Sequence, residues 1–362
     1  MLQVTKSELL NKEIPSEIQA FLTGDMTNYI VIKDGHILVK NLSKELEDLT
    51  VLDLADVTEE FHKYYESESV KSIVSDAYNY NLEETTAGLL IRAKRNKVFK
   101  EELHVFYIQE NGEYNNNVMI ILEDNSELKY FEYLYNKGEA SINYVSNAFV
   151  LENARLTYSG ISKYNEKAMV SVTRNAFVKR YGNCQYSIAE VNDSTTDSKT
   201  NIMLQEEYAS GTTKTVAITN KEQEAKFVQL VEHKAKETEG YIENYGVANN
   251  NSTLVFEGIG KINKDMKRSV ARQSNRGIVL GMNSRLDANP LLLIDEFDVV
   301  ASHGAAIGKM DEEQLYYLMS RGLTLKNAER LIISGFLSPV LEKLSTDQLK
   351  EDFIYTVENK TL

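Results

Sequence analysis

The sequence predicts a mainly β protein whose core is a parallel β-helix, and three observations support this fold class. Short β-rich runs recur from about Gly88 to Phe297, with almost no sustained helical periodicity. The dipeptides that form tight hairpin turns are largely missing, and Asn111-Gly112 is the one Asn-Gly pair in this stretch. Polar residues cluster at corners between the runs, as at residues 191–194 and 247–251, which a coil that turns several times per rung requires.

A sandwich or a barrel could also be built from roughly 210 residues of short strands. An antiparallel arrangement of that kind needs more tight hairpins than the stretch contains. We therefore favour stacked coils of roughly 20 to 25 residues each. The core is predicted to span residues 85–300.

The first 84 residues have a mixed but mainly helical pattern and are predicted to form a separate N-terminal domain, 1–84. Two segments carry helical patterns, residues 16–22 and residues 59–65. Between them, two β runs flank Asp34-Gly35, a pair that accepts the positive φ angles of a two-residue hairpin turn. A β-hairpin is therefore expected inside this domain.

The last part of the chain, residues 301–362, is predicted to be a helical domain. Asp311 is placed to cap its first helix, and Gly322 stands where a left-handed residue ends a helix. Thr324 starts a second helix, for which we expect one face to contain Ala328, Leu331, Ile332 and Gly335. Ser338-Pro339 is predicted to start a third helix and Ser345 a fourth.

Composition excludes several classes of function. The chain of 362 residues carries 54 acidic against 40 basic residues, a net charge of −14, without a basic cluster, so nucleic-acid binding is not expected. Its apolar runs are too short to cross a membrane, and its first residues lack a secretion signal, so we expect a cytoplasmic protein. Cys184 is the single cysteine, so any bound metal cluster needs ligands from another chain.

The C-terminal third carries a pattern that resembles the signature of the SufB/SufD family. The matching segments are PLLLI (290–294), DV (298–299), ASHGA (301–305), Gly308, DEEQL (311–315), YL (317–318), SRG (320–322) and GF (335–336). Residues 258–262 and 284–289 resemble the last β-helix rungs of the family more loosely. Residues 30–35 and 41–43, the short chain and the near absence of cysteine are similar to the SufD branch.

The resemblance implies a right-handed parallel β-helix between helical domains and a scaffold role in iron–sulfur cluster assembly without enzymatic activity. It implies that the β-helix pairs with a SufB-like subunit, that the C-terminal helices bind the ATPase SufC, and that a nascent cluster forms transiently at the SufB interface. No cofactor is expected to be tightly bound by this chain alone. His303 matches the family position implicated in cluster binding, whereas Ala301 and Ala306 stand where the family often has Cys and Thr.

Each candidate residue also has a plainer interpretation. His303 lies among small residues that let another chain approach, and neutral imidazole is a competent iron ligand, but a histidine can equally cap the end of a β-helix. Cys184 could be a sulfur acceptor, although a lone cysteine in a β-rich core is more often a buried hydrophobe. The remaining histidines share no ligand spacing.

The partner-binding candidates share aromatic area or a planar cation, and about half of them are expected to face the core of the helical domain: Tyr316, Tyr317, Met319 and Arg321. We expect this region to bind the ATPase. Nucleotide binding by this chain itself is not supported, because residues 258–261 lack the remaining glycines of a phosphate loop and the Ser/Thr after its lysine.

Two rival functions stay open from the sequence. One is a β-helix carbohydrate-active enzyme, which would present clustered carboxylates with Arg or Lys on one face. The other is a homodimeric SufB/SufD-like scaffold that works without a SufB partner.

Overall fold

The protein is a parallel β-solenoid of about eight turns with a helical C-terminal region. A computed structural model describes residues 14–23, 26–53, 56, 64, 85 and 87–361. The fold class predicted from the sequence, mainly β with a parallel β-helix core, is confirmed. The division of the chain at residues 84 and 300 stays a prediction.

Two sheets form the solenoid, and successive strands alternate between them from β4 onward. Sheet 1 contains β1 (Tyr29–Lys33), β2 (His36–Asn41), β5 (Val98–Gln109), β7 (Glu127–Asn136), β9 (Arg155–Lys163), β11 (Asn183–Glu190), β13 (Ser210–Thr219), β15 (Glu239–Ala248), β17 (Val270–Val279) and β19 (Val300–Gly308). Sheet 2 contains β3 (Thr50–Asp53), β4 (Ala87–Ala93), β6 (Gly112–Leu122), β8 (Ala140–Val150), β10 (Met169–Val178), β12 (Thr195–Leu204), β14 (Glu224–His233), β16 (Thr253–Ile262) and β18 (Arg285–Ile294).

Each turn is longer than the 20 to 25 residues expected from the sequence. Asn96, Asn125 and Asn153 occupy the same corner of successive turns, and the amide hydrogen bonds that link their side chains join residues 29 and 28 positions apart. A turn needs this length because it contains two strands of about ten residues and two corners. All three asparagines have positive φ angles of 54° to 62°, a conformation that asparagine tolerates better than most residues.

The lumen, the space between the two sheets, is filled by every second residue of each strand. Its first turns are packed with aliphatic side chains and with a group of buried tyrosines: Tyr107, Tyr130, Tyr144, Tyr158, Tyr164 and Tyr186. The alternation of buried and exposed residues is incomplete in sheet 1 because its outer face is covered as well.

Among the described residues, four α-helices flank the strands: α1 (Ser16–Leu22), α2 (Glu312–Ser320), α3 (Leu325–Leu341) and α4 (Asp347–Thr361). The outer face of sheet 1 packs against buried residues of α1, α3 and α4, among them Phe21, Leu337 and Phe353. Polar contacts fasten α4 in place, since Asp352 accepts hydrogen bonds from Tyr133 and Lys163, both at 2.8 Å. The helical region is therefore attached along the side of the solenoid.

The outer face of sheet 2 is apolar in the early turns, where Phe149 stacks on Phe177 with ring centroids 5.0 Å apart. Tyr64 packs on Phe149 at 4.8 Å. The helix predicted over residues 59–65 otherwise lies outside the described residues.

The N-terminal end of the solenoid is capped. The predicted hairpin is confirmed: β1 pairs in parallel with β5 and antiparallel with β2, and Asp34 and Gly35 have φ angles of 47° and 90°. On sheet 2, β3 pairs antiparallel with β4. Lys40 of β2 donates a 2.9 Å hydrogen bond to the carbonyl of Val51 in β3, which ties the two capping strands together.

Two details of the C-terminal helices differ from the prediction. Pro339 does not start a third helix but lies inside the last turn of α3, where Leu337 and Val340 are both buried and keep the chain helical against sheet 1. The buried face of α3 consists of Ala328, Ile333, Leu337 and Val340, whereas Leu331, predicted to lie on it, is 54% exposed.

The predicted ends of α2 and the predicted start of α3 are confirmed, whereas α4 begins at Asp347 and not at Ser345, because the Thr346 hydroxyl accepts from the backbone N–H of Leu349. The Asp311 carboxylate accepts from the backbone N–H of Glu313 and Gln314, and Thr324 caps α3 in the same way through Asn327. Gly322 has the left-handed φ of 96° that was expected after α2.

Candidate functional site at the open end of the solenoid

The C-terminal end of the solenoid is open. β18 and β19 are the last strands of their sheets, and every residue of β19 is exposed. The nine residues of β19 include no charged residue and no proline, the residue types that proteins commonly use to keep an edge strand from pairing. The open end therefore offers unpaired backbone donors and acceptors to a strand of another molecule.

Exposed apolar side chains surround these edges. Leu291 and Leu293 of β18 are 43% and 49% exposed, Val300 of β19 is 52% exposed, and Phe297 in the corner between the two strands is fully exposed. Exposed apolar residues concentrated at one place on a protein mark an interaction surface more often than scattered ones do. The edges and this apolar rim form one continuous surface.

His303 lies in the middle of β19. It is in register with Gln273 of β17, which faces the lumen and is buried, so the side-chain direction of His303 is toward the mouth of the lumen. The described residues contain no group of three or more His, Cys, Asp and Glu side chains arranged to hold a metal ion. His303 can thus contribute one ligand to a site that another molecule completes.

The four candidate partner-binding residues lie on or just after α2, a short connection away from β19. Tyr316, Tyr317 and Met319 are 76%, 55% and 44% exposed, and the guanidinium of Arg321 lies 5.3 Å from the Tyr317 ring centroid. The expectation that half of this set faces a core is wrong, because α2 has no buried residue. The exposed face of α2 is available to a partner, while Leu315 and Leu318 are half-buried.

Cys184 faces the lumen and is completely buried. Burial raises the pKa of its thiol well above the ordinary value, so the nucleophilic thiolate is disfavoured. The plainer interpretation of this residue, a small buried hydrophobe, is confirmed.

The other three described histidines lie apart from the open end, and two of them are buried. His104 is buried and its ring nitrogens contact the carbonyl of Asn28 at 3.1 Å and the hydroxyl of Ser345 at 2.9 Å. His233 lies in the lumen with Nδ1 2.7 Å from the hydroxyl of Thr238, and burial lowers its pKa to about 4. Both have structural partners.

Sequence reasoning missed a buried ionic cluster in the lumen. The guanidinium of Arg174 lies 2.7 Å from Glu132 and 3.2 Å from Glu190, and all three side chains are almost completely buried. Tyr144 and Tyr158 also donate to Glu132. Burial lowers the pKa of Arg174, but the two carboxylates outweigh it and hold the pKa well above the ordinary value.

A signal for this cluster was present in the sequence. Glu132 alternates with Tyr130 and Leu134, two residues of an inward-facing pattern, so a charge was placed on the core side of a strand. The segment 258–261, rejected as a phosphate loop, lies within strand β16, and its glycines line the lumen.

None of the helices among the described residues is long and apolar enough to cross a membrane.

The fold and the site define a class of protein: a parallel β-solenoid with one capped and one open end, an exposed histidine in the last strand and a helical C-terminal region. Comparison with known proteins agrees with this class. Residues 106–336 match the family model described as "SUF system FeS cluster assembly, SufBD core domain".

Individual relatives match almost the whole chain. The iron–sulfur cluster assembly protein SufD of Bacillus subtilis is 31% identical over 96% of this chain and 83% of its own length. SufBD family proteins of Staphylococcus epidermidis and Staphylococcus aureus are each 24% identical over 93% of this chain and 74% of their own length. The chain belongs to the SufB/SufD family and is of the SufD type.

Proposed function

We propose that this protein is a cytoplasmic scaffold subunit for iron–sulfur cluster assembly, without enzymatic activity of its own. In this proposal its open end pairs with a SufB-like subunit, its helix α2 binds an ATPase of the SufC kind, and His303 supplies one ligand to the nascent cluster. Membership of the SufB/SufD family and the name of the Bacillus subtilis relative support the assembly role.

The single observation that carries the pairing is the contrast between the two ends. The N-terminal end is closed by antiparallel strands that are tied to each other, whereas β19 is fully exposed, uncharged and bordered by apolar residues. An edge strand without protective charges is expected to be covered in the working assembly. A SufB-like subunit with an open last turn of the same geometry is the partner that fits it.

The role of α2 rests on a different set of side chains. Its aromatic residues and Arg321 are residue types enriched at the energetic centres of interfaces, and Tyr316, Tyr317 and Met319 are all exposed. We therefore assign the two partners to two separate surfaces, which can be disabled one at a time.

The cluster itself is the cargo of the reaction. A neutral imidazole at the open end can bind iron, and the partner must provide the remaining ligands because the only cysteine of this chain is buried away from the surface. A carbohydrate-active enzyme receives no support from the comparisons, which match the SufB/SufD family.

The partner surfaces are tested by anaerobic affinity purification from the native host with two variants. Ala305→Lys places a charge at the mouth of the lumen and should abolish recovery of the SufB-like protein while the ATPase is retained. Thr195→Lys, at an exposed position of an inner strand, is its control. Tyr317→Asp should abolish recovery of the ATPase while the SufB-like protein is retained. Tyr355→Asp, on the exposed face of α4, is its control.

If Ala305→Lys and Tyr317→Asp both still recovered both partners, the assignment of surfaces would be contradicted. Recovery of a second copy of this chain in place of a SufB-like protein would favour the homodimeric scaffold. For the ligand role, His303→Ala should leave the complex assembled but reduce its iron and acid-labile sulfide, whereas His36→Ala, an exposed histidine at the capped end, should change neither. Equal iron content in the two variants would refute the ligand role.

A further inference from the structure

Two carboxamide side chains lie in the lumen just below the open end. Gln273 and Asn275 of β17 are 5% and 1% exposed. The amide Nε2 of Gln273 donates to the carbonyl of Leu291 at 2.7 Å, and the Asn275 Oδ1 accepts from Asn244 at 2.9 Å. Among the described residues, Gln273 Oε1 and Asn275 Nδ2 have no hydrogen-bond partner, which leaves one free acceptor and one free donor.

The space around the Gln273 amide is kept clear by glycines on the opposite sheet. A Cβ atom added to Gly258 would lie 2.8 Å from Gln273 Oε1, and one added to Gly260 would lie 3.0 Å from its Nε2. A side chain at either position would therefore displace the amide. The carboxamide occupies a fitted place across the lumen and is not a loose side chain that fills a gap.

The register of the last two strands of sheet 1 places one residue with a side-chain N–H directly beside Gln273. Gln273 is in register with His303, and Asn275 is in register with Ala305. Residues in register on parallel strands face the same way and lie about 4.8 Å apart. Of the four lumen-facing residues of β19, Ala301, His303, Ala305 and Ile307, only the histidine carries a side-chain N–H.

We propose that Gln273 is a positioning residue for His303: its Oε1 accepts a hydrogen bond from one ring N–H of the imidazole when the ring turns toward the lumen. A buried acceptor without a partner is costly, and this contact removes that cost. The bond fixes one tautomer and directs the lone pair of the other ring nitrogen out of the open end. Histidines that bind metals are commonly oriented through their second nitrogen in this way.

The purpose assigned to this contact rests on the proposed ligand role of His303, but the contact itself can be measured without a cluster. The full chain is labelled with ¹⁵N in its histidine rings and studied at a pH above the range in which histidine side chains ordinarily titrate. The signal of His303 is assigned by its absence in His303→Ala. Long-range ¹H–¹⁵N correlations then report the tautomer of the ring.

In the unmodified chain we expect one dominant His303 tautomer, with two well-separated ring nitrogen resonances. Gln273→Met, which removes the acceptor, should make these resonances converge, whereas Gln273→Glu, which keeps one, should leave them separated. Gln229→Met is the matched control, because Gln229 is an equally buried lumen amide on β14, away from His303. Its substitution should leave the His303 resonances unchanged.

The tautomer measurement decides this inference, and the iron content of the purified complex decides the proposed function. A His303 spectrum that is the same in Gln273→Met and in the unmodified chain would overturn the inference, as would an equal change in Gln229→Met. A converging spectrum together with unchanged iron in His303→Ala would support the contact and refute the ligand role.

Discussion

Removal of the cation from the buried ionic cluster is expected to be strongly destabilising. In Arg174→Met, Glu132 keeps the hydroxyl donors of Tyr144 and Tyr158, and Glu190 keeps a 3.2 Å contact with Ser198, but both carboxylates lose their positive partner. Breaking a buried ion pair from one side costs about 3 to 5 kcal/mol. With an m-value of about 3 kcal/mol/M, the urea midpoint should fall by about 1 to 1.7 M.

The measurement is a urea titration followed by circular dichroism. Arg180→Met is the matched control, because Arg180 forms an ion pair with Glu207 at 2.7 Å on the surface, where solvent screens it and the midpoint should barely move. The triple variant Arg174→Met, Glu132→Gln, Glu190→Gln carries no unpaired charge and should be more stable than Arg174→Met alone. Equal midpoints for Arg174→Met and Arg180→Met would refute the reasoning.

Two further predictions concern buried titratable groups. Because burial lowers the pKa of His233 from 6.5 to about 4, the unfolded chain binds a proton between these values that the folded chain does not, and stability should fall by about 3 kcal/mol as the pH decreases from 6.5 to 4. Urea titrations of His233→Asn across this range should show a smaller decrease than those of the unmodified chain or of His36→Asn, and an unchanged pH dependence would contradict the assignment. Cys184 should resist a thiol-specific chromogenic reagent in the native protein and react fully in denaturant, because it is completely buried; stoichiometric reaction under native conditions would show that the lumen opens.

The elements with strong local signals could be predicted from the sequence. The Asp34-Gly35 hairpin and the caps at Asp311 and Thr324 depend on neighbouring residues only, and each is found as expected. The β-helix was favoured by turn chemistry, because an antiparallel meander is expected to contain more tight hairpins than this stretch has. These features are encoded within a few residues of where they appear.

Features that depend on distant contacts were predicted less well. Pro339 is tolerated inside α3 because buried neighbours on both sides hold the helix against sheet 1, which no local rule for proline includes. Leu331 was placed on the buried face of this helix because helical periodicity identifies an apolar stripe. It does not identify which side of the helix packs against the solenoid. The length of a turn was underestimated for the same reason, since it is set by strand pairing across the whole solenoid.

The sequence identified single residues of the candidate site but not their spatial relations. His303 could be named, but its relation to Gln273 depends on a register between strands that lie 30 residues apart along the chain. The absence of a fully buried residue from α2 could not be predicted, because an amphipathic helix is expected to bury one face. Tertiary register and unpartnered surfaces are visible only in the folded chain.

The capped N-terminal end limits the size of any assembly. A protein with two adhesive ends would add copies head to tail and grow into a filament, which is the hazard of interfaces that do not close. In the described part of this chain, the antiparallel strands β2 and β3 interrupt the parallel stacking at the first turn. Under the proposed pairing, two open ends that meet leave only capped ends facing outward. The proposed pairing therefore predicts an assembly that stops at two solenoids.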